Sequence, residues 1–270
     1  MIGYLGPVNS FTYFAAKTFY VASELKPFSN VYDLFEALSL EKVEGIVLPI
    51  ENSIEGSVNL VMDKLIDANI HINKEIVLDI KMSLISKNNK IENIKKVISH
   101  PHALAQCRKT LKSELGKYKE IQSLSTSNGV KELAKLDDSH AAIASKDAIY
   151  GDLNILLDDI SDNPGNETRF IFVTKSLNVQ GFHNKSSIIC SAKNDHSGSL
   201  YDILHEFAIR GINLTKIESR PSKKQLGTYV FHIDFEGNIE NIKVKETLAI
   251  LKYKTKFLKL LGSYYTKEKK

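Results

Sequence analysis

Along residues 1–174, short apolar runs alternate with stretches in which apolar residues recur every three or four positions. Runs at 2–5, 45–50, 97–99, 141–144 and 170–174 predict buried strands, and the spacing within 11–19, 31–40, 58–66, 103–111 and 130–136 predicts helices. Strand–helix alternation of this kind predicts an α/β fold with mostly parallel strands. Ligands in such sheets sit beyond the carboxyl ends of the strands, so the loops after the strands are where chemistry is to be sought.

Residues 175–185 (KSLNVQGFHNK) are polar and interrupt that alternation, which marks a linker. The pattern beyond it is different. A strand at 187–191 precedes Leu200, Ile203, Leu204, Phe207 and Ala208, which form one stripe on a helix. Gly211 stands where a helix C-terminal glycine belongs, and 212–219 returns as a strand. Tyr229, Phe231, Ile233 and Phe235 alternate with Thr228, Val230, His232 and Asp234, the period of a strand with one buried face. A helix over 239–253 and a strand over 257–264 complete a βαββαβ order, the ferredoxin-like pattern of an α+β module.

Composition adds bounds. The 270 residues are 43% hydrophobic and 25% charged, an ordinary globular balance with apolar mass for two cores. A net charge of +4 falls well short of what a nucleic-acid partner calls for, and the lysine excess over 243–270 reads as a solvated helix face and tail. The N-terminal MIGYLGPVNS has neither the basic nor the apolar region of a signal peptide, and no apolar run reaches membrane-spanning length. A cytoplasmic location without a membrane partner is therefore expected, with Cys107 and Cys190 as buried, reduced thiols.

Three loops that follow strands carry polar groups a core does not need. In Gly6-Pro7-Val8-Asn9-Ser10-Phe11-Thr12, Ser10 or Thr12 caps the next helix, whose N–H groups favour an anion; for this loop alone a plain capped helix start is the preferred reading. In Pro49-Ile50-Glu51-Asn52-Ser53-Ile54-Glu55-Gly56-Ser57-Val58, Gly56-Ser57 opens the next helix, and capping accounts for Ser57 but not for the Glu-Asn-Ser cluster. The third loop, 159–170, delivers Thr168 and Arg169 to the start of a buried strand. The Arg169 guanidinium suits a carboxylate ligand, and an ion pair with Asp162 is the competing reading. His100-Pro101-His102 lacks further ligands at metal spacing, so a polar helix entry with His102 and Gln106 on one face is preferred to a metal site. Neither a glycine-rich phosphate cradle nor a Ser-His-Asp set is present, and no cofactor is expected.

These segments together resemble the prephenate dehydratase family over nearly the whole chain. The family's Gly-Pro-x-x-(Thr/Ser)-Phe is Gly6 to Phe11, and its Pro-Ile-Glu-Asn-Ser-x-x-Gly-x-Val is Pro49 to Val58. Ser-His-Pro-x-Ala-Leu-Ala-Gln-Cys is Ser99 to Cys107, and Asn-x-Thr-Arg-Phe is Asn166 to Phe170, with the acidic residue at Asp162. Gly198-Ser199-Leu200 and the segment from Ile212 to Pro221 are similar to the phenylalanine-binding motifs of the family's ACT domain. The departures are Asn9 where glycine is usual, Thr12 where serine is common and His102 where glutamine is common.

The resemblance implies a two-lobed catalytic domain like a periplasmic binding protein over 1–177, with its second lobe at about 78–150, a linker at 178–185 and an ACT domain at 186–265. It implies conversion of prephenate to phenylpyruvate in L-phenylalanine biosynthesis, with Thr168 and Arg169 catalytic and Ser10, Glu51, Asn52, Ser53, Ser57, Asn166 and Phe170 binding substrate. Thr168 would assist departure of the ring hydroxyl and Arg169 would meet a carboxylate, while for Glu51 orienting Thr168 or a water and a structural role stand as equal alternatives. L-phenylalanine would inhibit through Gly198, Ser199, Leu200, Asn213, Leu214, Glu218, Ser219 and Arg220 of paired ACT domains, in a homodimer or homotetramer. With Met1 almost directly before the first strand, a fused upstream chorismate mutase is not expected. The rival readings are an arogenate dehydratase and a catalytically inactive amino-acid-binding regulator.

Overall fold

The computed structural model describes residues 1–178, 183–193, 196–223 and 228–266, so part of the expected linker (179–182) and the end of the basic tail (267–270) lie outside the described residues. The chain opens with β1 (Ile2–Leu5), α1 (Phe11–Lys17), β2 (Leu25–Phe28), α2 (Val31–Ser39) and β3 (Gly45–Asn52). A short β4 (Gly56–Ser57), α3 (Asn59–Asp67) and β5 (His71–Asp79) follow. Next come β6 (Ser83–Ser86), β7 (Lys96–Ser99), α4 (Pro101–Gln106), α5 (Arg108–Leu115), β8 (Lys119–Gln122), α6 (Thr126–Leu133), β9 (His140–Ala144), β10 (Asn154–Leu157) and β11 (Glu167–Thr174). The remainder is β12 (Lys185–Ala192), α7 (Ser199–Ala208), β13 (Leu214–Pro221), β14 (Tyr229–Glu236), α8 (Ile242–Lys254) and β15 (Thr255–Tyr264).

The first part of the chain is the expected two-lobed α/β arrangement, with one sheet ordered β2-β1-β3-β11-β5 and a second ordered β10-β6-β9-β7-β8. The strands are less uniformly parallel than the alternation predicts. β7 pairs parallel to β8 and β9, but β6 pairs antiparallel to both β9 and β10, and β4 antiparallel to β3. All five residues of β9 are buried, as a strand covered on both faces requires. One face of it packs Ala142 and Ala144 against Ile85, Val130 and Leu133.

Two compact units are present, Met1–Ala37 with Val47–Val58 and Val77–Phe170, and Leu38–Ile46 with Asn59–Ile76 and Ile171–Lys270. Within the first, the helix expected over 103–111 is broken at Cys107 into α4 and α5. The break has a tertiary cause. The Asp162 carboxylate accepts the Lys109 and Thr110 N–H groups at 2.9 Å each, giving α5 a start that no residue of its own sequence supplies. Burial raises that carboxyl, and these N–H donors outweigh it and hold the group below its ordinary value. Burial also pushes the Cys107 thiol up to about 12, where it is inert.

Within the second unit the βαββαβ module forms an antiparallel sheet ordered β13-β14-β12-β15. The helices cover one face, burying Ile188, Cys190, Ile203, Phe207, Ile233 and Phe235 in a single core. The other face is buried too, which corrects the one-sided reading of β14: His232 and Asp234 are 3% and 4% exposed. Asp234 Oδ1 accepts from Ser187 Oγ at 2.5 Å. On the same unit Lys185 Nζ lies 3.0 Å from the buried Glu75 of β5, and a Cβ on Gly262 of β15 would fall 2.0 Å from the Ile72 carbonyl.

Candidate active site

The three polar loops converge within the first unit on a cavity of about 420 Å³. Its apolar lining includes Phe11, Pro49, Val58, Ile80, Met82 and Phe170, and its polar lining includes Ser10, Asn52, Asn166 and Thr168. Ser10 rather than Thr12 caps α1, its Oγ accepting from Tyr13 N at 3.2 Å, while Thr12 is buried. Asn9 sits at φ 65°, a left-handed conformation that asparagine tolerates, so its replacement of glycine leaves this turn possible.

Asn52 is the hinge of the arrangement. Its Oδ1 accepts from the backbone N–H of Ile54 at 2.9 Å and of Glu55 at 3.0 Å, so its amide nitrogen must face the other way. The two hydrogens of that Nδ2 serve three acceptors, one hydrogen being shared: Asn166 Oδ1 at 2.7 Å, the Glu167 carbonyl at 3.0 Å and Thr168 Oγ1 at 2.9 Å. Thr168 thus accepts from Asn52, which leaves its own hydroxyl hydrogen to be donated, and no acceptor for it is found among the described residues. A backbone clamp holds the two segments in register, with Ser53 N donating to Glu167 O at 2.8 Å and Glu167 N to Ser53 Oγ at 2.9 Å.

Other expected site residues lie elsewhere. Arg169 does not line the cavity. Its Nη1 lies 3.4 Å from Glu51 Oε2, so the ion pair exists but with Glu51 in place of Asp162, whose oxygens are taken by α5. Glu51 is therefore directed at Arg169, and the residue that orients Thr168 is Asn52. Ser57 belongs to β4, paired with Glu51, not to a helix start, and neither it nor Ser53 borders the cavity.

Three residues that the sequence did not single out as binding groups do line it. Glu55 Oε1 accepts from His102 Nδ1 and from Gln106 Nε2, each at 2.9 Å, and Gln106 Oε1 accepts from Asn166 Nδ2 at 3.5 Å. The advance signals were the motif segments Pro49 to Val58 and Ser99 to Cys107, which contain them, and the spacing that puts His102 and Gln106 on one helix face. His100 caps α4, with Nδ1 accepting from His102 N at 3.3 Å. Burial and the neighbouring His102 lower its pKa against the opposing pull of Glu55. Among the described residues no lysine or arginine lines the cavity; anionic groups would meet hydroxyls, imidazoles and the first N–H groups of α1 and of α6, which Ser125 caps.

A model of the prephenate dehydratase family matches residues 2–178, and an ACT-domain model matches 186–252. The chain belongs to the prephenate dehydratase family. Its enzyme class is accordingly that of a decarboxylating hydro-lyase. It is 46% identical over 242 residues to the prephenate dehydratase of Methanocaldococcus jannaschii, covering 87% of this chain and 86% of that one. It is 42% identical over 265 residues to a bifunctional chorismate mutase/prephenate dehydratase of Aquifex aeolicus, covering 97% and 73% respectively. Among solved structures, prephenate dehydratase from Arthrobacter aurescens in complex with L-Phe superposes with a TM-score of 0.88 at 32% identity, covering 98% of this chain and 89% of that one.

The βαββαβ module is thus an ACT domain. Its Gly198 sits at φ 92° as the residue before α7, Ser199 and Leu200 open that helix, and Asn213 Nδ2 donates to Glu236 Oε1 at 2.9 Å. Leu214, Glu218 and Ser219 lie along β13, with Glu218 paired to Lys216 at 3.2 Å. Arg220 is already engaged: Nη2 meets Asp63 Oδ1 of α3 at 3.0 Å and Nη1 donates to Asn59 Oδ1 at 2.7 Å.

Among the described residues no helix is long and apolar enough to cross a membrane, and no cluster of three or more His, Cys, Asp or Glu is placed to hold a metal ion.

Proposed function

We propose that the chain converts prephenate to phenylpyruvate, water and carbon dioxide for L-phenylalanine synthesis in the cytoplasm, with residues 1–177 as the catalytic part. The ring carboxylate leaves as carbon dioxide, its bonding electrons enter the ring, and the ring hydroxyl leaves with a proton as water. Restored aromaticity drives the reaction, so the protein's task is to orient the substrate and to assist the hydroxyl.

The observation that carries this reading is the Thr168 hydroxyl, which accepts from Asn52 and has its hydrogen to donate at the cavity wall. An alcohol is a weak acid near neutrality, so Thr168 acts as a positioned hydrogen-bond donor to the leaving oxygen. The N–H groups at the starts of α1 and α6 suit the pyruvyl carboxylate, whereas tight binding of the carboxylate that must depart would oppose the chemistry. Phe170 and its apolar neighbours accept the ring. Phenylpyruvate release by wild type and by Thr168→Ala is the test. The variant is expected to fold and to turn over roughly 10²–10⁴-fold more slowly; wild-type turnover in it removes Thr168 from the mechanism.

The same reading extends to regulation. L-phenylalanine binds between paired ACT domains of a homodimer or homotetramer, near Gly198, Ser199, Leu200, Asn213, Leu214, Glu218 and Ser219, and inhibits the cavity. The positive φ of Gly198 and the L-Phe complex of the Arthrobacter relative support it. Arg220, held by Asp63 and Asn59, acts there as a strut to α3 and not as a ligand.

A further inference from the structure

We infer that Glu55 is a positioning residue for the dehydration: its carboxylate sets the direction of a chain of side-chain amides that ends on Thr168. The inference rests on the reading of Thr168 given above. A carboxylate only accepts hydrogen bonds, so the atoms of Gln106 and His102 that face Glu55 Oε1 must be donors. Gln106 therefore presents Nε2 to Glu55 and Oε1 to Asn166, which receives Asn166 Nδ2 at 3.5 Å. Asn166 in turn presents Oδ1 to Asn52 Nδ2 at 2.7 Å, and Asn52 donates onward to Thr168 Oγ1.

Every amide in the sequence Gln106, Asn166, Asn52 has one orientation that satisfies both neighbours, and two anchors impose it. One is the Glu55 carboxylate; the other is the pair of backbone N–H groups of Ile54 and Glu55 that occupy Asn52 Oδ1. Glu55 belongs to both anchors, through its N–H and through its side chain. The path also joins the β3–β4 turn to α4, both of which border the cavity. Reversing any one amide sets two donors or two acceptors face to face. Because the backbone holds Asn52, the conflict cannot be relieved by turning that amide; Asn166 must shift instead, and the contact that keeps Asn52 Nδ2 on Thr168 Oγ1 loosens with it.

The test reverses the polarity and then restores it. In Glu55→Lys the side chain becomes a donor, Gln106 must turn its oxygen toward it, and Gln106 Nε2 then confronts Asn166 Nδ2. In Gln106→Glu two carboxylates meet. When Glu55→Lys and Gln106→Glu are combined, the carboxylate introduced at position 106 accepts from both the introduced ammonium and Asn166, and the direction of the chain is recovered. Each single variant should lower kcat on prephenate by about ten- to a hundredfold, the usual cost of a misplaced group, with KM nearly kept. The double variant should regain most of the loss. Because the Glu55 side chain is 45% exposed, melting temperatures should change little. If Glu55→Lys does lower the melting temperature, Glu55→Ala removes the acceptor without adding a donor and supplies the same kcat readout.

Wild-type kcat in Glu55→Lys or Glu55→Ala, or a double variant no faster than its slower parent, overturns the inference. A Thr168→Ala enzyme with normal turnover would instead remove the reading of Thr168 on which it stands.

Discussion

Arg169 and Glu51 form a half-shielded ion pair, 3.4 Å apart, with the guanidinium side chain 10% exposed and the carboxylate 34%. Both come from motif segments, yet Arg169 is outside the cavity lining. Arg169→Lys is therefore expected to act through stability. Lysine keeps the charge but not the planar fork, and about 1–3 kcal/mol should be lost, read as a lower melting temperature with KM for prephenate retained. An unchanged melting temperature together with a raised KM would return Arg169 to substrate binding.

Asn52→Asp separates donor from acceptor at one position. Aspartate still receives the Ile54 and Glu55 N–H groups but donates nothing to Asn166, Glu167 or Thr168. The Thr168 hydroxyl would then turn its hydrogen toward the new carboxylate and away from substrate. Steady-state kinetics should show kcat reduced by roughly 10²-fold, and a variant with wild-type kcat would contradict the donor role of Asn52.

His232 makes stability depend on pH. Burial pushes its imidazole down to about 4; Asp234 and Glu218 pull upward, and Arg220 and Lys216 push down. Its Nε2 is buried with no hydrogen-bond partner among the described residues, so the folded protein holds it neutral. Above its ordinary pKa of 6.5 neither state binds the proton, and its contribution is fully present. As pH falls from there toward 4, the unfolded chain takes up a proton that the folded chain refuses, and about 3 kcal/mol is lost. His232→Leu should flatten the dependence of melting temperature on pH in that window. An equal slope in both proteins would assign the loss to other groups.

Gly198→Val addresses the proposed regulatory site. At φ 92° the backbone before α7 is left-handed, and a Cβ there meets nothing within 4 Å, so the effect of valine is conformational and not a clash. Straightening that turn costs on the order of 1–2 kcal/mol and moves the start of α7. Titration with phenylalanine should show weakened inhibition and near-normal uninhibited turnover. Undiminished inhibition would place the effector elsewhere.

Gly262→Ala tests the fit of the ACT sheet within its own unit. The new Cβ would fall 2.0 Å from the Ile72 backbone oxygen, which no rotamer can relieve. Strand β15 must shift, and thermal denaturation should report a loss of roughly 1–3 kcal/mol or more.

Local pattern alone was enough for the elements whose physics is local. The stripe from Leu200 to Ala208 is α7, the alternation from Tyr229 to Phe235 is β14, and the apolar run at 141–144 is β9, because burial imposes the periods 3.6 and 2 on the residues themselves. Strands β2, β8 and β10 left no such mark; each lies at a sheet edge and carries exposed residues. The motif residues Asn52, Asn166 and Thr168 were legible as polar residues of two separate segments, but their pairing was not. Asn52 and Thr168 are 116 positions apart, and only the fold brings their atoms to 2.9 Å. The same holds for Asp162, which caps α5 from a distant loop, and for Glu55, whose partners sit on α4. Composition and periodicity record which face of an element is buried. The direction of a hydrogen bond between distant side chains is decided only when tertiary packing sets donor against acceptor.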